Sequence, residues 1–387
     1  DLAAAGRHPY GPAGTLEPVR FQGSLVQRFH EGYRAAATCD IVGSGREGGT
    51  KTKQGMDQPT PKLAFLFPGQ GSQHPGMGKR LHELSLAARR VFAQADEAVG
   101  FPLSRLCFEG PKEALDDTVN TQPAIVATSL AYLAYLRERL QALGRRLTPS
   151  LVAGHSLGQF SAAAASGALD FSEALRLVLE RGRIMKAWAL SRPGGLATLL
   201  GLDEDAAEEV CAEASSEGEV GVAACNAPGQ TVIAGEVPAL ERAMALARQR
   251  GGRVIRLPIS VPGHIPMMRG AAAELGSILT RVPFRDPEVP VVSNITALLL
   301  TRAEDVREEL SDQLCCAVQW ARCVVTMANQ GVAGFVEVGP GETLSRIARR
   351  ISDSIPVYTL GEDDKPPDFL QVTAPVEGQA RSAEHVR

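Results

Sequence analysis

No uninterrupted apolar stretch in the 387 residues is long enough to span a bilayer, so nothing calls for membrane insertion. Excess basic charge is missing too. The 40 Lys and Arg stand against 44 Asp and Glu, a formal net charge of -4, which leaves no electrostatic footprint for nucleic acid. Cysteine supplies neither a disulfide framework nor a zinc site. Cys39, Cys107, Cys211, Cys225, Cys315, Cys316 and Cys323 are odd in number, scattered and without a CxxC pair, a usage that fits a reducing cytoplasm. A phosphate cradle fails as well. The glycine-rich loop 67–78, FPGQGSQHPGMG, lacks both the G-x-x-x-x-G-K-[ST] and the G-x-G-x-x-G spacing and carries Gln70 and Gln73 in place of lysine. Its backbone N–H groups suit an oxyanion equally well. Function is therefore left to local side-chain chemistry.

What remains is an ordinary globular composition, 44% hydrophobic and 22% charged, in a chain long enough for two or three domains. Residues 1–58 mix glycine, basic residues and isolated aromatics without periodicity and read as a disordered extension. They lack a secretory signal's apolar core, although their arginines leave a transit-peptide reading open. Residues 361–387 read as a polar, disordered tail. Between them, KLAFLF (62–67) and PSLVAG (149–154) read as buried strands, and 122–143, 157–169 and 171–190 show helical spacing. Alternating strands and helices imply an α/β core with a short parallel sheet, expected over 59–193 and 259–360, with further strands at VPVVSNI (289–295) and GFVEVGP (334–340). Residues 194–258 break this rhythm. Strand, helix, hairpin, helix and strand follow in the order β-α-β-β-α-β, which predicts an inserted ferredoxin-like α+β subdomain.

Gly154-His155-Ser156-Leu157-Gly158 satisfies G-x-S-x-G with a strand before it and a helix after it. The pentapeptide alone leaves two readings, a nucleophile on a strained elbow or a serine N-cap in a glycine-rich turn. A nucleophile needs a base. His8, His30 and His385 lie in the tails, His74 and His82 in a loop and at a helix start, and His155 beside the serine, where an elbow turns neighbouring side chains apart. That leaves His264, in a loop braced by Pro262 and Pro266. In the helix 171–190, Ala174, Val178, Met185 and Trp188 form one apolar stripe that includes Arg181, whereas Arg183 falls with Arg176 and Glu180. A guanidinium on a buried stripe is costly unless it meets an anion, either a structural carboxylate or one carried by a ligand.

Together with FPGQGSQ, TQPAI, NAPGQTVIAG, LPISVPGHIPMM, QLCCAVQW and EVGPGETL, these residues resemble the malonyl-CoA:acyl carrier protein transacylase family and the related acyltransferase domains of polyketide synthases, over about residues 62–360. The resemblance implies a hydrolase-like core and a ping-pong transfer of malonyl from malonyl-CoA to a phosphopantetheinylated acyl carrier protein, with no bound cofactor or metal. It implies Ser156 as nucleophile and His264 as base, with the backbone carbonyl of Gln313 orienting the histidine. The N–H groups of Gln70 and Leu157 would form the oxyanion hole, and Arg181 would hold the malonyl carboxylate. The resemblance also implies a transient carrier partner and a site completed within a monomer, while Arg346, Arg349 and Arg350 are either candidates for a basic docking face or a solvated helix face. Gln159 stands where glutamate is frequent, Gly263 where serine or phenylalanine is usual, and CCAV replaces a segment that more often holds proline. Cys315 and Cys316 read as small buried hydrophobes. An esterase built on the same Ser-His pair, an editing hydrolase, an acyltransferase for another extender unit and an inactive docking subunit are the rival readings.

Overall fold

Five apolar residues without a polar interruption, Leu63–Phe67, form β1, and all five are buried. A strand covered on both faces takes the middle of a parallel sheet. In the computed structural model, which describes residues 62–360, β1 does so; the extension 1–58 and the tail 361–387 lie outside the described residues. Its neighbours β2 (Leu151–Gly154) and β9 (Gly334–Glu337) both run parallel to it. With β7 (Val291–Val292), β8 (Leu299–Leu300) and β10 (Val357–Thr359), the sheet has the order β10-β9-β1-β2-β7-β8. Only β8 runs antiparallel to its neighbour.

The sequence reading of a strand over VPVVSNI shrinks to the two residues of β7. Ser293 ends it. Its hydroxyl accepts from the N–H groups of Ile295 at 3.1 Å and Thr296 at 2.9 Å, closing a turn that leads back into β8.

The helix expected from Gln122 starts earlier, at Thr118, and runs to Ala142. Asp117 caps it by accepting from the Val119 N–H at 3.1 Å, and Pro123 lies inside the helix. This helix is apolar nearly all round and buried through its first half. It packs against the helix Phe171–Ser191, whose own cap is the Asp170 carboxylate, accepting from Ser172 N–H at 2.8 Å. Gly182 lets the two approach, since a Cβ there would sit 2.8 Å from the Thr118 carbonyl oxygen. The neighbouring Arg181 is thereby brought against Gln122.

A second sheet is built from β3 (Gly194–Leu200), β4 (Val220–Ala227), β5 (Gln230–Glu236) and β6 (Arg253–Arg256), in the order β4-β5-β3-β6 with every pairing antiparallel. With the helices Glu204–Ala214 and Val237–Gln249 this is the ferredoxin-like arrangement. Strand β6 ends at Arg256, two residues before Pro258, which has no N–H for the ladder. Val210, Ile233 and Leu240 belong to a core of its own, and two bonds, Cys225 N–H to Val318 O at 2.8 Å and Val318 N–H to Ala223 O at 2.9 Å, tie β4 to the chain beyond the main sheet. No helix among the described residues is long and apolar enough to cross a membrane.

Candidate active site

Strands β1, β2 and β7 are adjacent and parallel, so the segments leaving their C-terminal ends meet along one edge of the sheet. After β1 comes the loop with Gln70, after β2 the Ser156 turn, and after β7 Asn294. The turn is tight. Ser156 has φ of 52°, a left-handed conformation that serine adopts at a cost, and a Cβ on Gly154 would lie 1.9 Å from the Gly158 carbonyl carbon. The His155 N–H donates to Phe67 O at 2.9 Å, which locks the turn to the end of β1.

His264 also has a left-handed backbone, with φ of 69°, and its N–H donates to Leu314 O at 2.8 Å. The ring is aimed from two sides. Nδ1 lies 2.6 Å from the Gln313 carbonyl oxygen and Nε2 lies 2.6 Å from Ser156 Oγ. A carbonyl only accepts, so Nδ1 carries the proton, and the bare Nε2 accepts from the serine hydroxyl. Burial, then the nearby Arg181 charge, push the imidazole from 6.5 down to about 3, which keeps it neutral.

Arg181 lies 0% exposed on the stripe expected of it, while Arg183 is exposed beside Glu180. Its Nη1 donates to Gln122 Oε1 at 2.8 Å and its Nη2 reaches Ser156 Oγ at 3.4 Å. Its buried Nε has no hydrogen-bond partner. Among the described residues no carboxylate pairs with it, and burial lowers it to about 9, still charged at neutral pH. The structural ion pair left open by the sequence is therefore not made. Gln122 in turn donates through Nε2 to Thr118 Oγ1 at 3.0 Å, and Gln70 Nε2 donates to the same oxygen at 3.1 Å.

Neither the Gln70 N–H nor the Leu157 N–H has a hydrogen-bond partner among the described residues. His155 does turn away from the serine, with Nε2 at 2.8 Å from Asn226 Oδ1 and its ring edge-on to Trp320. A cavity of about 280 Å³ opens over Ser156 and His264, walled by Gln70 and Met185 on one side and by Leu196 and Val232 of the second sheet on the other. Cys315 and Cys316, expected to be buried, are only half-buried, on the turn that follows Gln313.

A family model described as the acyl transferase domain matches residues 64–365. The chain belongs to the acyl transferase domain family. It is 39% identical over 305 residues to the malonyl CoA-acyl carrier protein transacylase of Bacillus subtilis, covering 78% of this chain and 94% of that one. Among solved structures it resembles the malonyl-CoA:acyl carrier protein transacylase of Xanthomonas oryzae, with 40% identity, a TM-score of 0.73 and coverage of 79% and 95% of the two chains. It equally resembles a malonyl-transacylase solved in complex with its holo type II PKS acyl-carrier protein, at 36% identity, TM-score 0.73 and coverage of 77% and 96%.

In this acyltransferase-family site, sequence reasoning did not assign Gln122, Asn294 or Glu309. Asn294 Oδ1 accepts from the Ser156 N–H at 2.7 Å, and its Nδ2 donates to Gly154 O at 2.7 Å, so one side chain clamps both limbs of the turn. The available signal was the polar pair Ser293-Asn294 after an apolar strand, at the sheet edge where the serine also sits. Because no methyl group fits at the turn, Gly154→Ala is expected to lower unfolding free energy by more than about 3 kcal/mol in urea denaturation; unchanged stability would contradict this packing.

Proposed function

We propose that this protein transfers malonyl from malonyl-CoA to the phosphopantetheine thiol of an acyl carrier protein through a malonyl ester on Ser156. The observation that carries the reading is the open edge of Arg181. Gln122 occupies Nη1, while Nε has no partner and Nη2 makes only one long contact to the serine oxygen, so the Nε–H and the second N–H of Nη2 are left for a carboxylate. Malonyl carries such a carboxylate two bonds from its thioester carbonyl. The names of the relatives support the same substrate.

In the first half-reaction Ser156 Oγ attacks the thioester carbonyl as its proton passes to His264 Nε2, and the resulting imidazolium stays hydrogen-bonded to Gln313 O. The N–H groups of Gln70 and Leu157 receive the developing oxyanion. Collapse of the tetrahedral adduct breaks the carbon–sulfur bond, and the departing CoA thiolate takes the proton from His264. In the second half the carrier's thiol gives its proton to His264 and attacks the ester, returning Ser156. Every group the transfer needs is supplied by this chain. An unsubstituted acyl group would leave Arg181 buried without its anion, which selects for malonyl. Arg346, Arg349 and Arg350 lie on the exposed face of the helix Thr343–Ile351, whose Leu344 and Ile347 line the cavity, and this basic face suits an acidic carrier. Cysteine usage supports a cytoplasmic setting, and one chain suffices for the site.

With radiolabelled malonyl-CoA and holo carrier, label is expected on the carrier; release only as free malonate would make the protein a hydrolase and overturn the transfer. Arg181→Ala should reduce malonyl transfer roughly ten- to a hundredfold more than acetyl transfer, and equal losses would contradict the carboxylate contact.

The low position of His264 fixes a pH profile. Its folded value of about 3 lies below the ordinary 6.5, so the unfolded chain binds more protons in that window and His264 withdraws stability as pH falls through it. The base stays neutral there. The His264 ring should therefore stay neutral as pH is lowered from about 8 to about 5.5, read from the NMR shifts of its imidazole. A titration with a midpoint near an ordinary histidine value would contradict the assignment.

A further inference from the structure

Glu309, on the helix Ala303–Asp312, is 1% exposed, and the transfer chemistry does not use it. Its carboxylate accepts three hydrogen bonds. Oε1 takes the Asn294 N–H at 2.7 Å and Gln159 Nε2 at 3.2 Å, and Oε2 takes the Ser293 hydroxyl at 2.5 Å. The Ser293 oxygen already accepts from Ile295 and Thr296, so its two lone pairs are engaged and its proton has to be donated. A glutamine at 309 would turn an N–H toward one of these donors. The surroundings are therefore shaped for a carboxylate, although burial pushes Glu309 up to about 7.

A buried carboxylate is weak as a source of stability, and its use here lies in what its donors hold. Asn294 clamps the Ser156 N–H and the Gly154 carbonyl, as described above. Gln159 accepts from the Gly154 N–H at 2.8 Å through Oε1 and donates through Nε2 to Val292 O at 2.9 Å as well as to Glu309. Three backbone groups of the serine turn thus end on two amide side chains. Glu309 reaches both residues, one through its main chain and one through its side chain. A glutamate at 159 would lose both donated bonds and set a second carboxylate against Glu309.

We propose that Glu309 is a positioning residue for acyl transfer: through Asn294 and Gln159 it fixes the strained turn, and with it the direction of Ser156 Oγ toward His264. The inference rests on the reading of Ser156 as nucleophile.

The test measures malonyl transfer kinetics and melting temperature in Glu309→Gln, Asn294→Ala, the double variant and Ser156→Ala. Glu309→Gln should lower kcat roughly ten- to a hundredfold while KM for malonyl-CoA moves less than about twofold, because Arg181 and the cavity walls are untouched. Placed on Asn294→Ala, it should cost less than the product of the two single losses, since one of the two side chains through which it acts is gone. A wild-type kcat in Glu309→Gln, or losses that multiply in the double variant, would overturn the proposal. If Glu309→Gln does not fold, Ser293→Ala, which removes the donor to Oε2, takes its place with the same expected fall in kcat and the same lack of addition. A wild-type kcat there would be equally fatal. Malonylation that persists in Ser156→Ala would instead overturn the nucleophile itself, whatever the Glu309 variants do.

Discussion

Arg181 keeps its charge in a fully buried place where no carboxylate among the described residues meets it, a costly arrangement in a low-dielectric interior. The surrounding structure is organised around that cost. Gly182 allows the close helix crossing that brings Gln122 to one nitrogen, and the remaining edge lies within reach of Ser156. The same charge, added to burial, holds His264 neutral. In the function proposed above, a guanidinium without its anion does two things before any ligand arrives: it favours a carboxylate-bearing acyl group and keeps the base neutral. On that proposal, a carboxylate seated on Arg181 weakens its effect on His264, and the imidazole becomes a better proton acceptor in the complex than in the free protein.

Backbone geometry supplies the second constraint. Both Ser156 and His264 occupy left-handed conformations, and each is held by main-chain bonds from a different part of the chain, to Phe67 for the residue beside the serine and to Leu314 for the histidine. Strain of this kind persists only where neighbours over-determine it. The parallel order of β1, β2 and β7 delivers those neighbours to one edge, and the second sheet closes the cavity from the other side.

Much of this was legible in the sequence. Glycines flanking Ser156 announced a turn without room for side chains, the spacing of Ala174, Val178, Arg181 and Met185 placed a guanidinium on a buried stripe, and counting histidines left His264. The β-α-β-β-α-β order of the second sheet was equally readable. The shortness of β7, the strand β8 and the early start of the helix at Thr118 were not, because single side chains, Ser293 and Asp117, decide them against propensity. Gln122, Asn294 and Glu309 escaped notice for a related reason. Each is an ordinary polar residue whose partner lies far along the chain, 138 residues away for the Asn294 bond to Ser156, and only the folded sheet edge shows what it holds.

Whether an acyl group rests on Ser156 is read directly by mass spectrometry of the protein mixed briefly with malonyl-CoA in the absence of a carrier. One malonyl group should appear on the peptide containing Ser156 and disappear when holo carrier is added; an unmodified serine, or a malonyl group on any other residue, would contradict the proposed ester.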